Sequence, residues 1–146
     1  MSAVRTQTYA NHRRFFALYH YVALPIVMLN VVYTAFLAFR APGRATIWAF
    51  VFAVGIAAGI LAGRTMVLIV QNRIIRLEQR LRLVALLPDH LRGRIVELNL
   101  SQLIGLRFAS DAELPALVER CLAGELNNGE AVKKAITNWQ ADFLRA

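Results

Sequence analysis

The side chains able to do chemistry are few and widely separated. His12, His20 and His90 are the three imidazoles, Cys121 is the single thiol, and none falls into an H-x-x-x-H, C-x-x-C, G-x-S-x-G or P-loop spacing. That inventory leads to the expectation of no catalytic residue, no metal site and no cofactor. Cys121 has no second cysteine for a disulfide or a thiolate cluster and reads as a small buried apolar residue. Two histidines can ligate haem in a helical bundle, but a bis-histidine site here needs His20 from each of two chains. Ser101 and Ser110 stand at expected helix starts, where capping accounts for them.

Two other constellations carry more information. Gly55, Gly59 and Gly63 form G-x-x-x-G-x-x-x-G, which lines three hydrogen side chains along one helical stripe and lets another helix approach closely. The stripe can receive a segment of the same chain or a second copy, and spacing does not choose. Asn30, near the middle of the preceding apolar run, favours a dimer if it hydrogen-bonds its counterpart. The second constellation is a polar belt in which Asn11, His12 and Arg13 face Gln71, Asn72 and Arg73. It could bind phosphate or a carboxylate tail, or simply be solvated. His20 and Arg64 are expected at the same depth as each other, at the inner edge of the apolar layer.

The elements that must position these residues follow from charge. All nine acids lie between Glu78 and Asp142, so residues 1–77 carry eight arginines and no carboxylate. The formal net charge of +8 belongs to that first half. Its cations flank two apolar runs, which is the pattern of membrane spans and not of a nucleic-acid surface. Phe15 to Phe39 is a run of 25 uncharged residues, and a second run starts at Ala45 and continues past Arg64 to Val70. At about 1.5 Å per residue each exceeds the roughly 30 Å hydrocarbon layer. Arg40-Ala-Pro-Gly-Arg44 between them is too short for anything but an antiparallel hairpin. Arg13-Arg14-Phe15-Phe16 invites a twin-arginine export reading, which the length of the following run opposes. Arginines crowd the outer ends of the two runs and are sparse at the turn, which puts both termini in the cytoplasm.

Past the second run, Val70, Ile74, Leu77, Leu81 and Val84 follow at coiled-coil spacings, and Glu78 and Arg82 form an i,i+4 pair. The second span is expected to run on as one helix, either as a short coiled coil or as an amphipathic helix lying on its own domain. Arg73, Arg76 and Arg80 share a face suited to anionic headgroups. Pro88 ends that helix. The remainder reads as short helices: Asp89 to Leu98, one capped by Ser101, one behind the capping box Ser110-Asp-Ala-Glu113 with Gly124 at its exit, and one from Asn127 carrying Val132, Ile136, Trp139 and Phe143.

The expected fold is therefore all-α: residues 1–14 a cytoplasmic segment, 15–39 a first transmembrane helix, 40–44 an external turn, 45–70 a second transmembrane helix, 71–87 a juxtamembrane amphipathic helix, and 88–146 a small cytoplasmic helical bundle. The bundle is charge-balanced and small enough to need support, which points to an interaction module and away from nucleic acid. The partners expected are the bilayer with its anionic headgroups, a second copy, or another cytoplasmic or membrane protein. The alternative is an intramembrane ligand or cofactor binder built on His20, Arg64 and Asn30, possibly within a larger enzyme or transporter.

The segments Gln7-Thr-Tyr9-Ala-Asn11-His12, Tyr19-His20, Val70-Gln71-Asn72-Arg73-Ile-Ile-Arg76-Leu77-Glu78, Leu87-Pro88 and Leu106-Arg107-Phe108-Ala-Ser110-Asp111-Ala-Glu113-Leu114-Pro115 make the chain resemble a bacterial family of short two-span membrane proteins, described only as a domain of unknown function. The resemblance implies a bacterial cytoplasmic membrane and no particular activity. Similar proteins often carry an acid where Asn72 stands, and this departure weakens a proton-transfer role for His12.

Overall fold

The computed structural model describes residues 7–11 and 16–142. Among these the fold is all-helical, with one isolated antiparallel bridge between Ala109 and Trp139 and no strand. The chain divides into two compact units, Phe15–Ile69 and the pair of segments Met1–Arg14 and Val70–Ala146.

The first unit begins with a π-helical turn, Leu18–Ala23, leading into α1, Leu24–Arg40. Pro25 explains the turn. Proline has no N–H to give the carbonyl four residues back, and its ring crowds that carbonyl, so the preceding turn widens. The Leu24 N–H accordingly reaches back five residues to the Tyr19 carbonyl. After Ala41–Gly43 the chain reverses into α2, Arg44–Leu86, a single helix of 43 residues. Thr46 closes the reversal: its hydroxyl accepts from the Gly43 N–H at 3.0 Å and lies 2.9 Å from the Ala41 carbonyl. The continuous helix Leu18–Arg40, formed by the π-helical turn and α1, and α2 are both long and apolar enough to cross a membrane.

In the second unit α2 ends at Leu86, and Pro88 N-caps α3, Asp89–Arg92. The single helix expected over Asp89 to Leu98 is broken into α3 and a 3-10 turn, Ile95–Glu97. Gly93 is a poor helix former, and Arg94 turns its guanidinium onto Glu97 with two bonds of 2.9 and 2.8 Å. α4 spans Leu100–Leu106, α5 Leu114–Leu122 and α6 Gly129–Ala135. Leu83 of α2 and Leu87 just past its end join Leu103, Leu106, Phe108 and Val118 in one buried core.

The caps differ from expectation in two places. Asn99, not Ser101, caps α4, forming a reciprocal box with Gln102. Ser101 instead accepts the Gly129 N–H at 2.8 Å, tying α4 to the start of α6. The Ser110–Glu113 box does not form. Glu113 turns its carboxylate away to accept from the Thr137 and Asn138 N–H groups at 3.2 and 3.0 Å, and from the Thr137 hydroxyl. That capture also ends α6 at Ala135, sooner than the apolar spacing suggested, because the Thr137 N–H no longer serves the helix. Trp139 then packs on Phe108 as part of an extended segment, with ring centroids 5.1 Å apart; Phe143 lies outside the described residues. Gly124 lies beyond the end of α5 at φ 81°, as expected; Asn128 caps α6, which starts at Gly129 and not at Asn127, and Pro115 falls in the first turn of α5.

α4 and α6 meet through glycines. A Cβ on Gly105 would stand 2.8 Å from the Val132 Cβ and 2.9 Å from the Gly129 carbonyl oxygen, so both helices would have to separate. Gly105→Ala is expected to destabilise the protein by about 1–3 kcal/mol, read as a lower denaturant midpoint. Gly59→Ala, with open space around it, serves as the comparison and should be close to neutral for the same transition.

Candidate functional site

Three groups of residues were expected to carry function, and the structure treats them differently. The glycine stripe is uncovered: among the described residues, and apart from the adjoining backbone of α2 itself, no heavy atom comes within 4 Å of a Cβ built on Gly55, Gly59 or Gly63. The covered row of α2 in this unit is instead Ala53, buried, followed by Ala57, Ile60 and Arg64, half-buried. Two positions along a helix turn about 200°, so the glycines occupy the opposite side from that row. In this unit the first helix therefore does not cover the stripe.

His20 and Arg64 do share a level, through Tyr19. The Arg64 guanidinium carbon lies 5.7 Å from the Tyr19 ring centroid, and the Tyr19 and His20 rings meet edge to face at 4.9 Å. His20 Nδ1 is 3.0 Å from the Phe16 carbonyl oxygen, the backbone group it would seek in an apolar setting. Asn30 does not join them. It is exposed on α1, ten helical residues and about 15 Å along the axis from His20, and its carbonyl accepts the Thr34 hydroxyl at 2.8 Å. These three residues therefore do not converge on one ligand.

Of the polar belt, His12 and Arg13 lie outside the described residues. Asn11 folds onto its own turn, its side-chain oxygen accepting the Thr8 N–H at 2.6 Å. Gln71 and Asn72 are half-buried on α2, with the Gln71 side-chain oxygen fully enclosed. Arg73 and Arg76 are exposed and Arg80 is half-buried. His90 stands 3.7 Å from the Glu119 carboxylate on the surface. Cys121 is buried, and desolvation pushes its thiol up to about 11, so it stays protonated at neutral pH.

The densest polar constellation was not anticipated. Arg82, expected to pair with Glu78 on its own helix, turns instead to the segment between α4 and α5. Its Nε and Nη2 lie 2.9 and 2.5 Å from one Asp111 carboxylate oxygen, and Nη2 also stands 2.8 Å from the Ala109 carbonyl and 2.7 Å from the Gln140 side-chain oxygen. Beside it, buried Arg107 approaches Asp142 at 3.4 Å and stacks over the Phe108 ring at 4.3 Å. The N-terminal segment joins the same unit: the Tyr9 hydroxyl donates to Glu130 at 2.8 Å, and the Gln7 side-chain oxygen accepts the Asp142 N–H at 2.8 Å. A guanidinium wins this place over an i,i+4 pairing because its planar fork serves several fixed oxygens at once. The available signal was the clustering of Arg107, Asp111 and Glu113 in one short motif, with Tyr9 in another.

Chemically, the arrangement is a clamp. It ties α2 to Ala109 and Asp111 in the α4–α5 connection and, through Gln140, to the C-terminal segment. The described chain is thus an all-helical protein with two long apolar helices followed by short ones. It belongs to a family of unknown function (DUF6526), whose family model matches residues 1–146. No curated protein and no solved structure matches it.

Arg82→Ala is expected to cost about 1–3 kcal/mol, since Asp111 is largely solvated but two backbone and amide acceptors lose their donor. Arg82→Lys should recover less than half of that, because an ammonium cannot span Asp111, Ala109 and Gln140 together. Denaturant midpoints of the full chain in detergent check both. A lysine variant as stable as the parent contradicts the clamp.

Proposed function

We propose that the protein is an integral membrane protein of the bacterial cytoplasmic membrane. In this reading residues 15–70 cross the bilayer as a hairpin, both termini face the cytoplasm, and the helical unit from residue 88 acts as a non-enzymatic interaction module for a protein partner or a second copy. The observation that carries it is the lack of cover on the apolar helices: only 6% of the most apolar stretch of either one is buried by the chain itself. A core helix of a water-soluble domain would be mostly covered. Here Phe39, Trp48 and Leu29 are 86%, 69% and 69% exposed, surface that needs hydrocarbon around it.

The arginine distribution supports the orientation, with Arg40 and Arg44 at the turn against the larger set near the other ends. Arg73 and Arg76, exposed directly after the apolar stretch, suit anionic headgroups at about 1 kcal/mol each. The interaction role rests on the capped, charge-balanced helical unit, whose small core depends on α2 for support.

Reporter fusions test the topology. Green fluorescent protein fused at either terminus should fluoresce, and alkaline phosphatase inserted after Gly43 should be active. Phosphatase activity at either terminus overturns the orientation, and an inactive insertion after Gly43 overturns the hairpin.

A further inference from the structure

In the second unit α2 carries two apolar rows that face different ways. Leu83, with Leu87 just past the helix end, belongs to the core built with the short helices, and Ile75 is buried on the same side. The other row, Val70, Ile74, Leu77, Leu81 and Val84, is uncovered throughout, each residue between 51% and 64% exposed. The helical unit thus has its own attachment to α2 and leaves the heptad row free. Spacings of 4, 3, 4 and 3 put Ile74 and Leu81 at a positions and Val70, Leu77 and Val84 at d positions of a left-handed coiled coil.

We propose that this row is the seam of a homodimer, two copies of the chain aligned parallel and in register. The flanking charges choose that occupant. Arg73 takes a g position and Glu78 the e position five residues later, so in a parallel in-register pair Arg73 of each copy meets Glu78 of the other, twice by symmetry. In an antiparallel pair g faces g and e faces e, which sets Arg73 and Arg80 against cations and Glu78 against its own counterpart. Among the described residues neither Arg73 nor Glu78 enters an ion pair within the chain, because Arg82 is held by Asp111. The inference deepens the proposed membrane reading and rests on it: two copies in one bilayer share the direction of their spans, so only the parallel arrangement is open to them. Five residues make too short a seam for free peptides in water, and confinement to a membrane supplies the effective concentration they lack.

Oxidative crosslinking of the full chain in native membranes tests this. Leu77→Cys and Leu81→Cys should give disulfide-linked dimers several-fold above Arg76→Cys, which lies off the seam, and the parent chain, whose Cys121 is buried, should give none. In the Leu77→Cys chain, Arg73→Glu or Glu78→Arg alone should lower the dimer about two- to five-fold, and the two together should restore it. Equal crosslinking at Arg76 and at the seam overturns the proposal, as does seam crosslinking indifferent to charge reversal. A chain that fractionates with membranes but yields no seam dimer overturns the seam alone. A chain recovered without detergent in the soluble fraction overturns the membrane reading, and a seam dimer formed there still upholds the pairing.

Discussion

Apolar side chains that the chain does not cover are the constraint on which the rest depends. Along α1 and the first part of α2, the large side chains left outside are mostly Phe, Trp, Leu, Ile and Val, and three of the polar groups bond backbone carbonyls of their own helix. Thr34 bonds the Asn30 carbonyl, Thr65 the Leu61 carbonyl at 2.9 Å, and His20 the Phe16 carbonyl. Such self-sufficiency is what a surround without water demands, since an unpaired polar group there costs several kcal/mol. Even the proline in the first apolar run is absorbed locally, by a π-helical turn that supplies a donor from Leu24 to Tyr19.

The second unit obeys a different economy. Its short helices, α3 to α6, each bury only a few side chains, and none would stand alone in water. They hold together because the end of α2 reaches into them, giving Leu83, and Leu87 just beyond it, to the core and Arg82 to the oxygens of Ala109, Asp111 and Gln140. Glu113 and Arg107 then fix the returning C-terminal segment, through the Thr137 and Asn138 amides and through Asp142. One helix therefore does two jobs, and its two apolar rows divide them: one row is used up by the domain and the other stays free.

What could be read from the sequence was local. Pro88 and Gly124 act through their own backbone geometry, and each does what its type dictates. The unbroken α2 was legible because its apolar run passes into a heptad row with no breaker before Pro88. Arg82 was misjudged because Glu78 is four residues away in sequence, whereas Asp111 and Gln140 are 29 and 58 residues away, and local spacing carries no word of them. Ser101 and Ser110 were misread for the opposite reason. Asn99, two residues before Ser101, formed the box with Gln102, and Glu113 had a tertiary use that displaced its capping role. The spacing of the glycine stripe could not choose its occupant, and the structure leaves the stripe open while the Ala53 row is the covered one.

The central claim is that lipid, not water or protein, surrounds the outer faces of α1 and α2. Spin labels at Val32 and Phe52, both exposed on those helices, and at Val96, exposed in the helical unit, test it in reconstituted bilayers. The account predicts that dissolved oxygen relaxes the first two labels while a water-soluble nickel chelate does not reach them, with the reverse order at Val96. Ready access of the nickel chelate to Val32 and Phe52 would contradict it.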